Sequence, residues 1–223
     1  MNFILRLFSY DTPGSFVNNL RKKRFSLLRH RIEQLIDKKK PLRILDIGGD
    51  IGYWKNVGWN NSSSRIYLLN LYENSIPEKD SEIFHTIIGN ALNINAQKGD
   101  YDLVFSNSVI EHVGSYENQV LFAQETNRIS DRFIIQTPSY WFPLEPHCRI
   151  PFFQFLPHSV RARLIMRFNI NYFPKAASYQ EALVVSRSTL MLSKKQFKTL
   201  FPDAEIHVER LLGIPKSYTA VKL

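Results

Sequence analysis

The sequence has one cysteine, Cys148, in 223 residues. A lone thiol closes no internal disulfide and forms no multi-cysteine metal site; no metal ligands are assigned from spacing. It fits a reducing compartment, so a cytoplasmic location is expected. No apolar run approaches the ~18–20 residues of a membrane span. No Gly-x-x-x-x-Gly-Lys phosphate loop occurs, which disfavours ATP or GTP. Internal repeats and low-complexity tracts are missing as well. Acidic residues are scarce: 20 against 29 basic ones, a net charge of +9. Such a surplus raises nucleic acid, an anionic membrane or an anionic substrate as partners and is silent on fold.

What is there fits one soluble α/β domain over residues 1–223. The basic excess is not spread evenly. Met1 to Arg43 holds eleven basic residues and three acidic ones, and Pro138 to Gln180 holds five and one. The remainder is slightly acidic. Residues 1–40 read as a basic helical extension and 138–180 as an aromatic, basic insertion. The apolar start, Met1 to Tyr10, is broken by Arg6 and followed by no small-residue cleavage site, so it reads as an ordered segment packed on the domain. A place on a membrane surface is its other reading.

Ser15 can cap a helix reaching about Asp37, with Phe16, Leu20, Leu27, Leu28, Ile32, Leu35 and Ile36 as its apolar face. Five short apolar runs then read as buried strands: Arg43–Ile47, Ile66–Asn70, Ile83–Ile88, Asp102–Ser106 and Arg132–Gln136. A helix over Tyr116–Ile129 separates the last two. Such alternation indicates a parallel sheet with helices on both faces. Ser193 caps a short helix through Leu200, and Glu205–Leu211 and Ser217–Leu223 read as an antiparallel pair.

The strongest motif follows the first strand: Asp46-Ile47-Gly48-Gly49-Asp50-Ile51-Gly52. Glycines there let backbone approach a ligand and adopt dihedrals closed to other residues. Three further stretches accompany it: Tyr101 to Val113, which contains Asn107-Ser108-Val109-Ile110-Glu111-His112; Gly89-Asn90-Ala91; and Thr137-Pro138. Together they resemble the class I S-adenosylmethionine (SAM)-dependent methyltransferases of the type 11 group. The resemblance implies a Rossmann-like, seven-stranded, mostly parallel sheet with an antiparallel C-terminal strand pair. It implies S-adenosyl-L-methionine as cofactor, held by Asp46, Gly48, Gly49, Gly52, Asn70, Asn90, Ala91 and Asn107. Asp50 stands where relatives carry the middle glycine. Asn70 and Asn90 stand where they carry acids, and Glu73 is a substitute acid near the second strand's end. An amide accepts only through its oxygen and adds no charge.

Methyl transfer from a sulfonium needs alignment and exclusion of water more than a catalytic group. A base matters when the acceptor holds its proton, as a sugar hydroxyl does. His112 is the first candidate base and His147 the second. The alternative for His112 is that it closes its loop or lines the cofactor pocket. Cys148 reads as structural. In the segment 138–180, Tyr140, Trp141 and Arg149 are candidate lid residues over the acceptor. Ser159 can cap a helix there from Val160 to Phe168, with Val160, Leu164, Ile165 and Phe168 on one side and Arg161, Arg163 and Arg167 flanking them. That helix is either packed on the core or docks a lipid-linked acceptor at an anionic surface. The leading expectation is O-methylation of a small molecule or glycan. The alternatives are RNA methylation, which lacks an Asn-Pro-Pro-Tyr-like motif here, and a non-catalytic interaction protein that keeps the fold.

Overall fold

Leu42–Ile47 is apolar at almost every position and nearly all buried, and it forms the strand β1. In the computed structural model, which describes residues 15–37, 39–170, 173 and 175–223, β1 is flanked by two parallel neighbours. Leu45 lies opposite Tyr67 of β2 (Ser64–Asn70) and opposite Val104 of β4 (Leu103–Asn107). β2 pairs in parallel with β3 (Phe84–Ile88). With β5 (Phe133–Pro138), β6 (Glu205–Leu211) and β7 (Ile214–Lys222) the order is β3-β2-β1-β4-β5-β7-β6, a seven-stranded Rossmann-like sheet. β6 and β7 are antiparallel, joined through Leu212 and Gly213, both with positive φ as a tight hairpin turn requires. β7 begins before the expected Ser217. It runs back through Pro215, which the register shift between Glu209 and Arg210 accommodates.

The chain divides into two compact units. The first holds residues 1–106, 127–133 and 223. Within it α1 (Phe16–Glu33) is capped by Ser15, whose Oγ accepts from the Asn18 amide at 3.2 Å. The expected apolar face is only partly correct. Leu28 and Ile32 are buried, but Leu27 is 70% exposed and Phe25, one turn before Leu28, goes inside. Phe25 sits edge-on to Tyr53, Trp54 and Trp59, with ring centroids 5.8–6.3 Å away. Arg29 of the same helix donates to the carbonyls of Val57 and Gly58, at the end of α2 (Ile51–Asn56). The segment Met1 to Tyr10 lies outside the described residues.

The second unit holds residues 107–126 and 134–222. Its own core gathers Cys148, Phe153, Ala162, Ile165, Ile170, Phe173, Ala176 and Ala182. Three helices follow β5: α4 (His158–Arg167), α5 (Tyr179–Arg187) and α6 (Lys194–Leu200). α3 (Tyr116–Ile129) and α6 have the expected bounds, and Ser193 with Gln196 forms a capping box. α4 differs from expectation. It starts at His158 after Pro157, with no side-chain cap from Ser159, and buries Ala162 and Ile165 while Phe168 lies beyond its end, 52% exposed. α5, capped by Ser178, is a helix beyond those expected. Among the described residues no helix is long and apolar enough to cross a membrane.

Candidate functional site

β1 and β4 are parallel neighbours, so their carboxyl ends share one edge of the sheet, where open α/β folds place their ligands. Ser106 Oγ ties the two by donating to the Ile47 carbonyl at 3.0 Å. The chain then leaves β1 through the glycine motif. Gly48 has φ +69°, a left-handed conformation that suits glycine. Its amide donates to the Leu69 carbonyl of β2. Gly49 lies against Asp46: a Cβ built on it would stand 1.8 Å from Asp46 Oδ2. No side chain fits there unless Asp46 moves.

Asp46 is buried at the end of β1. Its Oδ2 accepts from the Trp54 indole N–H at 2.7 Å, and its Oδ1 is buried with no hydrogen-bond partner. Burial pushes this carboxyl well above the usual range, with the indole bond acting in the opposite sense. Asp50, the departure from the motif, is the N-cap of α2 and accepts from the Tyr53 amide at 3.0 Å. A Cβ on Gly52 would meet that cap oxygen at 2.7 Å, so the third glycine leaves room for the cap.

Asn70 also gains a reason. Its Nδ2 donates to the Gly49 carbonyl at 2.9 Å, a bond a carboxylate cannot make. Asn70 therefore tethers the glycine loop to the end of β2 and keeps its Oδ1 as an acceptor. Glu73 stands exposed in the loop beyond. Asn90 is exposed and uses its Oδ1 to accept from the Leu92 amide, closing its own turn beside half-buried Ala91. Asn107 is the last residue of β4 and is half-buried.

The second unit carries a compact polar cluster. Glu111 and His112 form a single 3-10 turn after β4, with Glu111 fully buried. Thr137, at the end of β5, donates to Glu111 Oε2 at 3.0 Å; Oε1 is buried with no partner. His147 Nδ1 lies 2.6 Å from Glu145 Oε1, and His147 Nε2 lies 3.0 Å from His112 Nε2. The Cys148 amide donates to the second oxygen of Glu145. The structure thus brings the two candidate bases together and adds two carboxylates that the sequence reading did not single out. The signal for one was present in Glu145-x-His147, two residues close enough to pair in an extended turn.

Their electrostatics separate them. Desolvation pushes His112 down to about 4, and the neighbouring His147 pushes the same way. His112 is thus a weak proton acceptor, unlike an unperturbed imidazole. Burial would lower His147 too, but its bond to Glu145 and the Glu111 charge raise it above the ordinary value. Burial would raise Glu145, yet His147 and the Cys148 amide hold it below the usual range. Burial lifts Glu111 to about 7, against the pull of His147 and Thr137. Burial also pushes the Cys148 thiol up, and the residue packs in the unit's core.

Of the expected lid residues, Tyr140 and Arg149 are half-buried and Trp141 is 59% exposed. Tyr140 and Trp141 join Phe152 and Phe155 in a ring cluster with centroids 5.1–6.3 Å apart. Arg149 and Phe152 both have positive φ, unusual for side chains of their size. Of the arginines on α4, Arg161 turns inward and donates to the carbonyls of Leu156 and Ser186, whereas Arg163 and Arg167 are exposed. Beside Arg161 a small cavity of about 60 Å³ is lined by Tyr140, Glu145, Gln154, His158 and Met191 among others.

No family model matches the sequence, and no curated protein matches it. Solved structures do match its fold. Magnesium protoporphyrin IX methyltransferase from Synechocystis PCC 6803, with bound SAH, superposes with a TM-score of 0.54 at 12% identity, covering 100% of this chain and 89% of that one. Phosphoethanolamine N-methyltransferase 2 from Haemonchus contortus, in complex with SAM, gives 0.56 at 12% identity over 98% of this chain, which spans 55% of that one. The N-terminal domain of EvdMO1 with SAH bound gives 0.52 at 12% identity, over 91% and 80%.

Proposed function

We propose that this chain, which has the class I SAM-dependent methyltransferase fold, is an enzyme that moves a methyl group from S-adenosyl-L-methionine to an oxygen of a small-molecule or glycan acceptor. The observation that carries the reading is the loop after β1. It combines a buried acceptor without a donor, Asp46 Oδ1, with a glycine, Gly49, that admits no side chain. A ligand rich in donors, with an ammonium and two ribose hydroxyls, suits that loop. Gly48 and Gly52 join Asp46 and Gly49 in holding it, Asn70 offers its Oδ1, and Ala91 follows the Asn90 turn; Asn107, the last residue of β4, is a further candidate. When bound, the sulfonium supplies an already activated methyl group. The chain's own residues position, exclude water and take the proton.

The candidate bases for the acceptor's proton are the histidine pair of the second unit. His147, backed by Glu145 as imidazole is by carboxylate in acid–base dyads, is the stronger base of the two. His112 holds its other nitrogen and completes the pair. The exposed rings of Trp141, Phe152 and Phe155 favour an acceptor with an apolar part, such as a lipid-linked glycan met at the cytoplasmic membrane surface. Calorimetric titration with SAM tests the reading. Binding with micromolar to sub-millimolar affinity is expected. Folded protein that takes up no heat at millimolar SAM would overturn it.

A further inference from the structure

Spacing along the sequence assigns no metal ligands, yet Glu111, His112 and His147 each present one ligand atom within 4.8 Å of the others. We propose that these three side chains bind a divalent transition-metal ion. The two imidazoles face each other through Nε2 at 3.0 Å. Two nitrogens held by one ion at ~2.1 Å lie about 3.0 Å apart at the right angle of an octahedral site and about 3.4 Å apart at the tetrahedral angle. The pair is therefore spaced as adjacent ligands are. The third donor is Glu111, whose Oε1 is buried and accepts no hydrogen bond. A buried acceptor left in that state is costly, and an ion beside it removes the cost.

The supporting contacts match a metal centre too. Metal-bound histidines commonly anchor their second nitrogen on a carboxylate, and ligating carboxylates are themselves hydrogen-bonded. His147 Nδ1 is anchored on Glu145, and Glu111 Oε2 is held by Thr137. Glu145 is fixed in turn by the Cys148 amide. Two imidazoles and one carboxylate suit ions from Mn2+ to Zn2+ better than Mg2+ or Ca2+, which favour all-oxygen sets. Three protein ligands leave positions open for oxygen atoms of a bound molecule. Resting on the methyl-transfer reading, those positions would take the acceptor oxygen; with an ion bound both imidazoles serve as ligands, and the hydroxyl's proton, made more acidic by the ion, would pass to solvent instead of to His147. His112 then acts as a ligand through Nε2.

Cobalt provides the test. Metal-stripped full-length protein is titrated with Co2+, following visible d–d absorption and, in parallel, heat. One site tighter than about 0.1 mM is expected, displaced by Zn2+. His112→Gln, on the exposed side of the cluster, and His147→Ala should each weaken Co2+ binding at least 30-fold while melting within a few degrees of the parent. Glu145→Gln, a positioning change, should weaken it about 10-fold and alter the spectrum. Replacing His85, a residue of β3 outside the cluster, should change nothing. Absence of a saturable Co2+ spectrum, or equal affinity in the histidine variants, overturns the site. Titrating SAM into the stripped protein separates the two claims: SAM binding without Co2+ binding refutes the metal site alone. Co2+ binding without SAM binding refutes the methyl-transfer reading and leaves the site.

Discussion

Gly49 and Asp46 constrain each other. A methyl group on residue 49 would overlap the Asp46 carboxylate at 1.8 Å, and moving Asp46 breaks its 2.7 Å bond from Trp54. Gly49→Ala should therefore lower SAM affinity at least 10-fold and cost about 1–3 kcal/mol of stability through overpacking. Calorimetry and urea denaturation read the two effects separately; unchanged SAM affinity would contradict the role given to this loop. Asn70 makes the opposite kind of test. Asn70→Asp introduces the acid that the resemblance implies at this position, but it exchanges a donor to the Gly49 carbonyl for a second acceptor. It should cost about 1–2 kcal/mol and lower the melting temperature by roughly 2–8 °C. A melting point that stays level or rises would mean that the amide tethers nothing. The motif itself was legible in the sequence, because glycine spacing reports backbone freedom. Its two departures were not, because a hydrogen bond from Asn70 and a cap from Asp50 exist only once β2 and α2 are in place.

Among the elements, the buried strands were legible as apolar runs to within one or two residues at most ends. The helices were less so. α1 shows where: Phe25, Leu28 and Ile32 share a face at i, i+3 and i+7, whereas Leu27 stands about 200° round the helix from Phe25 and belongs to the exposed side, and the aromatic pocket of Tyr53, Trp54 and Trp59 receives Phe25. Phe25→Ala should cost about 3–5 kcal/mol, and Leu27→Ala, at a side chain 70% exposed, less than about 0.5 kcal/mol. Comparable losses in urea unfolding would refute the packing. The entry to β4 carries a second handle. Arg43 of β1 binds both oxygens of Asp102, at 3.1 and 3.2 Å, and its amide adds a third bond at 2.9 Å. Burial alone would raise this carboxyl, but the Arg43 bonds hold it below the usual range. A carboxylate depressed in the folded state stabilises above its unfolded pKa of about 3.9 and stops doing so as pH falls through the lower folded value. Asp102→Asn should thus cost about 1–2 kcal/mol from pH 5 to 8, discounted for partial exposure. The gap from the parent should close on going below pH ~4. A gap independent of pH would assign the loss to packing instead of charge.

At the scale of the whole molecule, the +9 charge is the property least tied to the fold, and it attracts any polyanion. Attraction to vesicles at low salt therefore cannot by itself separate a membrane-surface acceptor from RNA. Part of the charge is already committed within the structure: Arg29 closes the end of α2, Arg43 is paired, and Arg161 is turned inward. Exposed Lys22, Lys23, Arg163 and Arg167 remain available to solvent and partners. Salt screens such charges, with a Debye length near 10 Å at 0.1 M falling to about 3 Å at 1 M. Burial of Trp141 and Phe152 in an interface is not screened. Each is 59% exposed, and burying such a side chain is worth about 1.5–3 kcal/mol. The two contributions predict two different slopes. Lys22→Glu with Lys23→Glu should weaken binding to phosphatidylserine vesicles at ~50 mM salt and have little effect at ~1 M. Trp141→Ala with Phe152→Ala should weaken it at least 10-fold at both, while leaving affinity for a single-stranded RNA of equal charge within about twofold. If the aromatic pair changes RNA and vesicle binding alike, or vesicle binding vanishes with salt in the parent protein, the aromatic cluster is not a membrane contact and charge alone accounts for the association.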